Sequence, residues 1–161
     1  MELFDVYDRQ GNPTGQTMVR GEAMPAGCYR MVAGVVCIHT DGTVLLMKRH
    51  PEKPTHPNLY EASASGSVLA GETPQQAARR ELLEETGICC GELFKIYEAE
   101  DETRLFRYYA AEVDCDKESI VLQPGETVAY RWATLQELEQ MLASAPSPVI
   151  LHPGVIRYLG L

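Results

Sequence analysis

The sequence predicts an α/β fold of the α+β kind, a mixed β-sheet with helices packed against it. Three observations in its 161 residues support this. Alternating or Val/Ile-rich apolar runs mark strands along most of the chain. Two or three stretches with helical spacing lie among those strands. An Asp41-Gly42 dipeptide between two apolar runs makes a hairpin, so the sheet contains antiparallel pairs.

In chain order, Leu3–Tyr7 (LFDVY) alternates and runs into the turn-forming RQGNPTG, which predicts a strand entering a hairpin or long turn. YRMVAGVVCIHT (Tyr29–Thr40) is apolar throughout, as a central buried strand would be. After Asp41-Gly42, TVLLMKRH (Thr43–His50) is the second arm of the hairpin. Three prolines make Pro51–Tyr60 mostly loop. Gly66–Ile88 (GSVLAGETPQQAARRELLEETGI) reads as loop, then helix. Thr73 suits the N-cap, Pro74 the first helical position and Gln76 a capping box, and Gly87 supplies the stop. The helix therefore spans roughly 74–86, with Ala78 and Leu82 on its apolar face and Ala77 and Leu83 flanking them. Leu93–Glu100, Arg104–Val113 and Thr127–Ala133 are further strands, the last entered from a Pro124–Glu126 turn. Leu135–Ala145 and a segment near His152–Leu159 have helical spacing.

Length and composition fit one domain over 1–161 that buries roughly two-thirds of its unfolded-chain surface. A net charge of −9 without a basic run disfavours a broad nucleic-acid or anionic-membrane surface, since phosphate backbones demand clustered Lys and Arg. A small phosphorylated ligand needs only a local pocket or a bound cation. No apolar run approaches the ~20 residues of a membrane span, and the acidic start lacks signal-peptide order, so a cytoplasmic protein is expected. The five cysteines form no CxxC pair, which disfavours a disulfide framework or a zinc site.

One feature of the helix breaks local rules. Glu81, Glu84 and Glu85 stand at i, i+3 and i+4 and share a face near the helix C-terminus. Each anion there costs about 0.3–1 kcal/mol against the macrodipole, and Glu81 and Glu85 repel by about 0.2–0.5 kcal/mol. Arg80 offsets only part of this. A solvated acidic face is the ordinary reading of E-x-x-E-E. Here a glycine-containing loop precedes the helix and brings carbonyls and Glu72 towards the same face. An all-oxygen site of that kind suits Mg²⁺ or Mn²⁺.

Gly66, Glu72 after five residues, and after seven more Arg80-Glu81-Leu82-x-Glu84-Glu85-x-Gly87-Ile88 resemble the complete signature of the Nudix hydrolases. Seven fixed letters and two apolar positions match. The strand order and the closing RWATLQEL (Arg131–Leu138) extend the likeness over most of the chain. The resemblance implies an α/β/α sandwich with a mixed sheet, and metal-dependent hydrolysis of a nucleoside diphosphate linked to another moiety or a related diphosphate. By position, Glu84 and Glu85 would be principal ligands of Mg²⁺ or Mn²⁺, and Glu81 a further ligand or a base acting through water. Arg80 would orient the glutamates, and Glu72 would support the loop or the metals. The carbonyl of Ser65 would be a ligand where many members have a second glycine. Glu126 is the candidate base outside the helix, against an ordinary turn glutamate. Homodimerisation is implied by the family and is not visible in the residues.

The chain also resembles the branch containing isopentenyl diphosphate isomerase, in FDVYD and in Tyr29–Lys53. That isomerase has a catalytic cysteine just before the box glycine and a histidine ligand after it. Ser65 and Ser67 stand here, and Arg104 aligns with an acidic residue of the isomerase, so isomerisation is disfavoured. A non-catalytic nucleotide-binding module would have no need of the costly carboxylates. Lys48 and Arg49 are candidates for phosphate contact, against a solvated strand end. Tyr60 is a candidate for stacking on the substrate, against a core role. The Pro51–Tyr60 loop and the N-terminal hairpin are expected to select the substrate. His39, His50, His56 and His152 show no metal-ligand spacing, and Trp132 reads as core.

Overall fold

In the computed structural model, which describes residues 1–161, β1 (Leu3–Tyr7) and β2 (Pro13–Val19) form an antiparallel hairpin apart from the main sheet. The main sheet has eight strands: β3 (Arg30–His39), β4 (Val44–Arg49), β5 (Tyr60–Ala62), β6 (Ala64–Ser67), β7 (Phe94–Glu100), β8 (Arg104–Val113), β9 (Thr127–Ala133) and β10 (Val149–Ile150). Its order is β10-β5-β4-β3-β8-β7, with β6 also on β3 and β9 also on β4. β3 pairs in parallel with β8 along its whole length and antiparallel with β6, so the sheet is mixed. Three helices complete the chain: α1 (Pro74–Thr86), α2 (Leu135–Ala143) and α3 (Pro153–Leu159). No helix is long and apolar enough to cross a membrane.

The layers follow from strand alternation. Ala33, Val35 and Cys37 of β3 and Leu45 and Met47 of β4 join one core with Ala77, Ala78 and Leu82 of α1. The intervening Val36, Val44 and Leu46 join a second core with Leu138 and Met141 of α2 and Val155 of α3. Successive side chains point to opposite faces, so a continuous apolar strand needs cover on both. The result is a helix–sheet–helix sandwich. Within α1, Leu83 lies outside the apolar stripe and is 52% exposed, unlike its expected flanking role.

The sheet opens at its centre. β3 and β4 pair only at Ile38↔Val44 beside their turn and then part. β5 pairs with β4 and β6 with β3, so the segment 60–67 fills the fork. Ser63 sits at the branch point with φ 42°, its hydroxyl donating to Leu45 O at 3.0 Å and accepting from Cys37 N–H at 2.7 Å. Truncating Ser63 to Ala leaves the buried Cys37 N–H without this partner. We expect a cost of about 1–3 kcal/mol, read in a thermal melt as a fall of roughly 3–10 °C.

Tyr60 of β5 and Gly66 and Ser67 of β6 fall in segments that read as loop, and the residues between them are assigned no element by the sequence. The sequence ASASGS has almost no β-branched or aromatic content, and its strand geometry comes from the two splayed neighbours that offer unpaired backbone. The first residues of β2, Pro13, Thr14 and Gly15, read as part of the turn, and pairing with β1 makes them strand.

Candidate active site

α1 begins and ends where its caps place it. Thr73 Oγ1 accepts from Gln76 N–H at 3.2 Å, and Gln76 Oε1 accepts from Thr73 N–H at 2.8 Å. Gly87, at φ 76°, closes the other end by donating to Leu83 O. No basic residue lies in the last turn. The three glutamates therefore face the negative end of the helix without local compensation from that turn.

Compensation comes from Arg80. Its Nε and Nη2 grip both oxygens of Glu72 at 2.7 and 2.9 Å, Nη1 reaches Glu81 Oε1 at 2.7 Å, and Nη2 also donates to Ser67 O at 3.0 Å. One guanidinium thus ties the helix to the preceding loop and to β6. Glu72 is held below the usual carboxylate range, chiefly by its hydrogen bonds from Arg80. Glu81 lies over Gly66, where a Cβ would fall 2.0 Å from Glu81 Oε1. The glycine is there to let the carboxylate approach the strand.

Glu81, Glu84 and Glu85 line a cavity of about 350 Å³ in the opened sheet, with Ser65 and Gly66 on its floor. Glu85 has no ion-pair partner, and its carboxyl is pushed up to about 9, first by burial, then by the charges of Glu81, Glu61 and Glu126. Burial also raises Glu81 despite Arg80. The cavity lining also carries cations. Arg30 and Arg104 are register partners on the parallel strands β3 and β8, and Arg30 donates to Ser67 Oγ at 3.1 Å. Burial, then Arg104 and Arg20, lower the pKa of Arg30. Arg49 pairs with Glu61 at 3.0 Å, and Lys53 pairs with Glu126 Oε2. Carboxylates, guanidiniums and an ammonium lining one cavity suit a polyanion bridged by cations.

The fold brings Arg80, Glu81, Glu84, Glu85, Ser65, Arg49 and Glu126 together at this cavity. Three expected site residues lie elsewhere. Glu72 does not line the cavity: its oxygens are taken by Arg80 and by Leu69 N–H, so it positions Arg80. Lys48 and Tyr60 pair across β4 and β5 and point to the opposite face. There the Lys48 ammonium sits 5.9 Å from the Tyr60 ring centroid, against the second core. Strand alternation gives the cavity to Met47 and Arg49 and denies it to Lys48. Arg20, Arg30, Lys53, Glu61 and Arg104 were not singled out as site residues. They come from separate strands and loops, so no spacing in the chain marks them.

A cation fits this donor set. In the structure as it stands, no three His, Cys, Asp or Glu side chains are drawn together around one point. Mg²⁺ rarely asks for that, since one or two carboxylates suffice when water and substrate phosphate complete the shell. The unpartnered Glu85 and the Gly66 cradle under Glu81 are what such an ion would use. The raised Glu85 also sets a pH dependence. From the ordinary carboxylate value up to about 9, folded protein holds a proton that unfolded chain releases. Metal-free stability therefore falls as pH rises through that window. We expect metal-free melting temperatures to decline between pH 5 and pH 9, with Mg²⁺ flattening the decline as it replaces the proton. A pH-independent metal-free Tm over that range would contradict the burial of Glu85.

Residues 29–152 match the model of the NUDIX domain. An uncharacterised Nudix hydrolase of Listeria monocytogenes is 35% identical over 147 residues, covering 89% of this chain and 86% of its own. An isopentenyl-diphosphate Delta-isomerase of Nocardia farcinica is 26% identical over 157 residues, covering 89% and 85%. Among solved structures, that of DR0079 from Deinococcus radiodurans superposes with a TM-score of 0.76, covers 99% of this chain and 98% of its own, and shares 18% identity, a likeness of fold.

Proposed function

This chain belongs to the Nudix family, and from that premise we propose that it hydrolyses a diphosphate linkage, in a nucleoside diphosphate joined to another moiety or a related small diphosphate, using Mg²⁺ or Mn²⁺ held at α1. The observation that carries the reading is the partnerless, half-buried Glu85 beside Glu81, in one cavity with Arg30, Arg49, Lys53 and Arg104. A pure binding site for anions would have no reason to bury that carboxylate.

Glu84 and Glu85, with Glu81 and the Ser65 carbonyl, would hold the cation. When bound, the metal supplies positive charge against the diphosphate and makes water a better nucleophile. The protein does the rest with its own groups. Arg80 fixes Glu81 in direction, which keeps the carboxylate face preorganised. Arg30, Arg49, Lys53 and Arg104 bind phosphate oxygens and neutralise charge that builds as the P–O bond breaks. Glu126 is the general base: Lys53 occupies Oε2, and Oε1 takes a proton from the attacking water. Water oxygen bonds to phosphorus and the bridging P–O bond breaks, giving two phosphate monoesters from a diphosphate substituted at both ends and a monoester with inorganic phosphate from one substituted at a single end.

The test is a panel of nucleoside diphosphate sugars, dinucleoside polyphosphates and isoprenyl diphosphates assayed with Mg²⁺ and with EDTA. We expect cleavage of at least one compound with Mg²⁺ and none with EDTA; undiminished turnover in EDTA overturns the metal role. Isopentenyl diphosphate is included because of the isomerase relative. With Ser65 and Ser67 flanking Gly66, no dimethylallyl diphosphate is expected.

A further inference from the structure

The residue after Glu126 carries a buried polar group that the fold does not employ. Thr127 opens β9, is 6% exposed, and lines the carboxylate cavity together with Glu126. Its Oγ1 is enclosed and has no hydrogen-bond partner. The other buried polar residues, Ser63, Ser67 and Thr86, all use their hydroxyls. Ser63 Oγ bridges Leu45 O and Cys37 N–H, and Ser67 Oγ accepts from Arg30 Nη1 at 3.1 Å. Thr86 Oγ1 donates to Leu82 O and accepts from Ile88 N–H at 3.1 Å. Bulk does not account for Thr127. Valine has the same shape, forms strands as readily, and would leave no unpaired oxygen in the interior.

The surroundings suggest what the hydroxyl serves. The backbone of Glu126 and Thr127 is pinned: Gln123 O accepts from both of their N–H groups at 3.1 Å, and His50 N–H donates to Glu126 O at 2.8 Å. Lys53 occupies Oε2 of the Glu126 carboxylate, which leaves Oε1. On the neighbouring strand the register partner of Thr127 is Arg49, whose side chain lines the same cavity. Along the chain, then, the hydroxyl neighbours the carboxylate that takes a proton. Across the sheet it neighbours a cation that binds phosphate.

We propose that Thr127 is a catalytic residue, and that its Oγ1 and Glu126 Oε1 together hold the attacking water. The inference rests on the hydrolase reading and on Glu126 as its base. Water has two hydrogens. One passes to Glu126 Oε1 as the water oxygen bonds to phosphorus. The other is donated to Thr127 Oγ1 as a hydrogen bond and stays on the oxygen that phosphorus receives. The bridging oxygen leaves with the electrons of its P–O bond, and Glu126 then releases its proton to solvent. A single hydrogen bond sets the distance of a water, and a second sets its direction, so the attacking lone pair is aimed before the bond forms.

The test compares Thr127→Val and Thr127→Ser with wild type in three measurements. These are steady-state turnover with Mg²⁺ on the best compound of the panel, thermal melting, and calorimetric binding of methylenediphosphonate, whose P–C–P bridge water cannot cleave. Thr127→Val is expected to lower kcat about tenfold to a hundredfold while KM stays within about twofold of wild type. It should bind the diphosphonate as wild type does and melt no lower, a combination that a hydroxyl with a purely structural role would not give. Thr127→Ser keeps the hydroxyl and is expected to hold kcat within about threefold of wild type. If Thr127→Val also stays within about threefold, or Thr127→Ser is as slow as Thr127→Val, the inference is overturned and the hydrolase reading stands, since Glu85→Gln tests that reading on the same compound. Weaker diphosphonate binding with a raised KM in Thr127→Val would make the hydroxyl a phosphate contact, and a lower melting temperature would make it a structural one; either overturns its role in holding water. A wild type that turns over no compound would sink the hydrolase reading and this inference with it.

Discussion

Replacing Glu85 with glutamine is expected to reduce turnover on the order of a thousandfold while leaving the fold intact. The change keeps the volume of the side chain and removes one negative charge. Without metal, the variant should melt at or above the wild-type temperature, because the carboxyl is already pushed up to about 9 and its charged form is what burial opposes. With Mg²⁺ the order reverses. Wild type gains stability by binding the ion in the folded state alone, and Glu85→Gln should not. The loss in rate follows from the several kcal/mol that a correctly held cation contributes to a phosphoryl transition state, with each 1.36 kcal/mol worth tenfold. Thermal melts with and without Mg²⁺, alongside steady-state turnover on the best compound of the panel, read both effects. A full Mg²⁺ shift in the variant, or turnover within threefold of wild type, would remove Glu85 from the metal site. Glu84→Gln should behave alike in turnover with a smaller metal-free effect, since Glu84 is the more exposed.

Gly66→Ala should be the second large effect, and it separates catalysis from stability. The added methyl would fall 2.0 Å from Glu81 Oε1 and 2.2 Å from its Cδ. What it meets is the far end of a flexible side chain, so the carboxylate can swing aside at a modest cost in folding, about 1–2 kcal/mol. The swing breaks its bond from Arg80 and displaces it from the cavity floor. A misplacement near 1 Å is worth on the order of a hundredfold in rate. Turnover and a thermal melt on the same preparation check this. Activity close to wild type would show that the approach of Glu81 to β6 has no catalytic role. A collapse of the melting temperature would show that the glycine serves the strand instead.

Residue by residue, legibility tracks how local the cause is. Thr73, Pro74, Gln76 and Gly87 bound α1 through contacts within four residues, so its ends were readable in the chain. The shared face of Glu81, Glu84 and Glu85 follows from helical periodicity alone. Glu72 shows where that reach stops. Its place in the motif suggested support for the loop or the metals, and only the bidentate grip of Arg80 shows which. Lys48 and Tyr60 are candidates for the substrate by proximity in sequence, against a solvated strand end and a core role, and a period of two puts them on the other face, with Tyr60 packed on the second core. β6 was invisible because Ala-Ser-Gly-Ser has no strand character until β3 and β4 part to receive it. His152 carries no spacing that pairs it with anything, and only the fold sets its ring against Tyr97, Phe106 and Tyr108 from two distant strands.

By itself the sequence determined the helix with its three glutamates, the α+β class and the family, because caps, periodicity and the spacing of the box act over short stretches of chain. Tertiary structure alone decided that the glutamates face a fork in the sheet. It also decided that Arg30, Arg49, Lys53 and Arg104 meet them there, and that an aromatic cavity opens beside them. Those are contacts between residues tens of positions apart. They exist only because burying both faces of β3 and β4 forces two layers of helix onto one sheet, and the segment carrying Ser63 then holds its centre open.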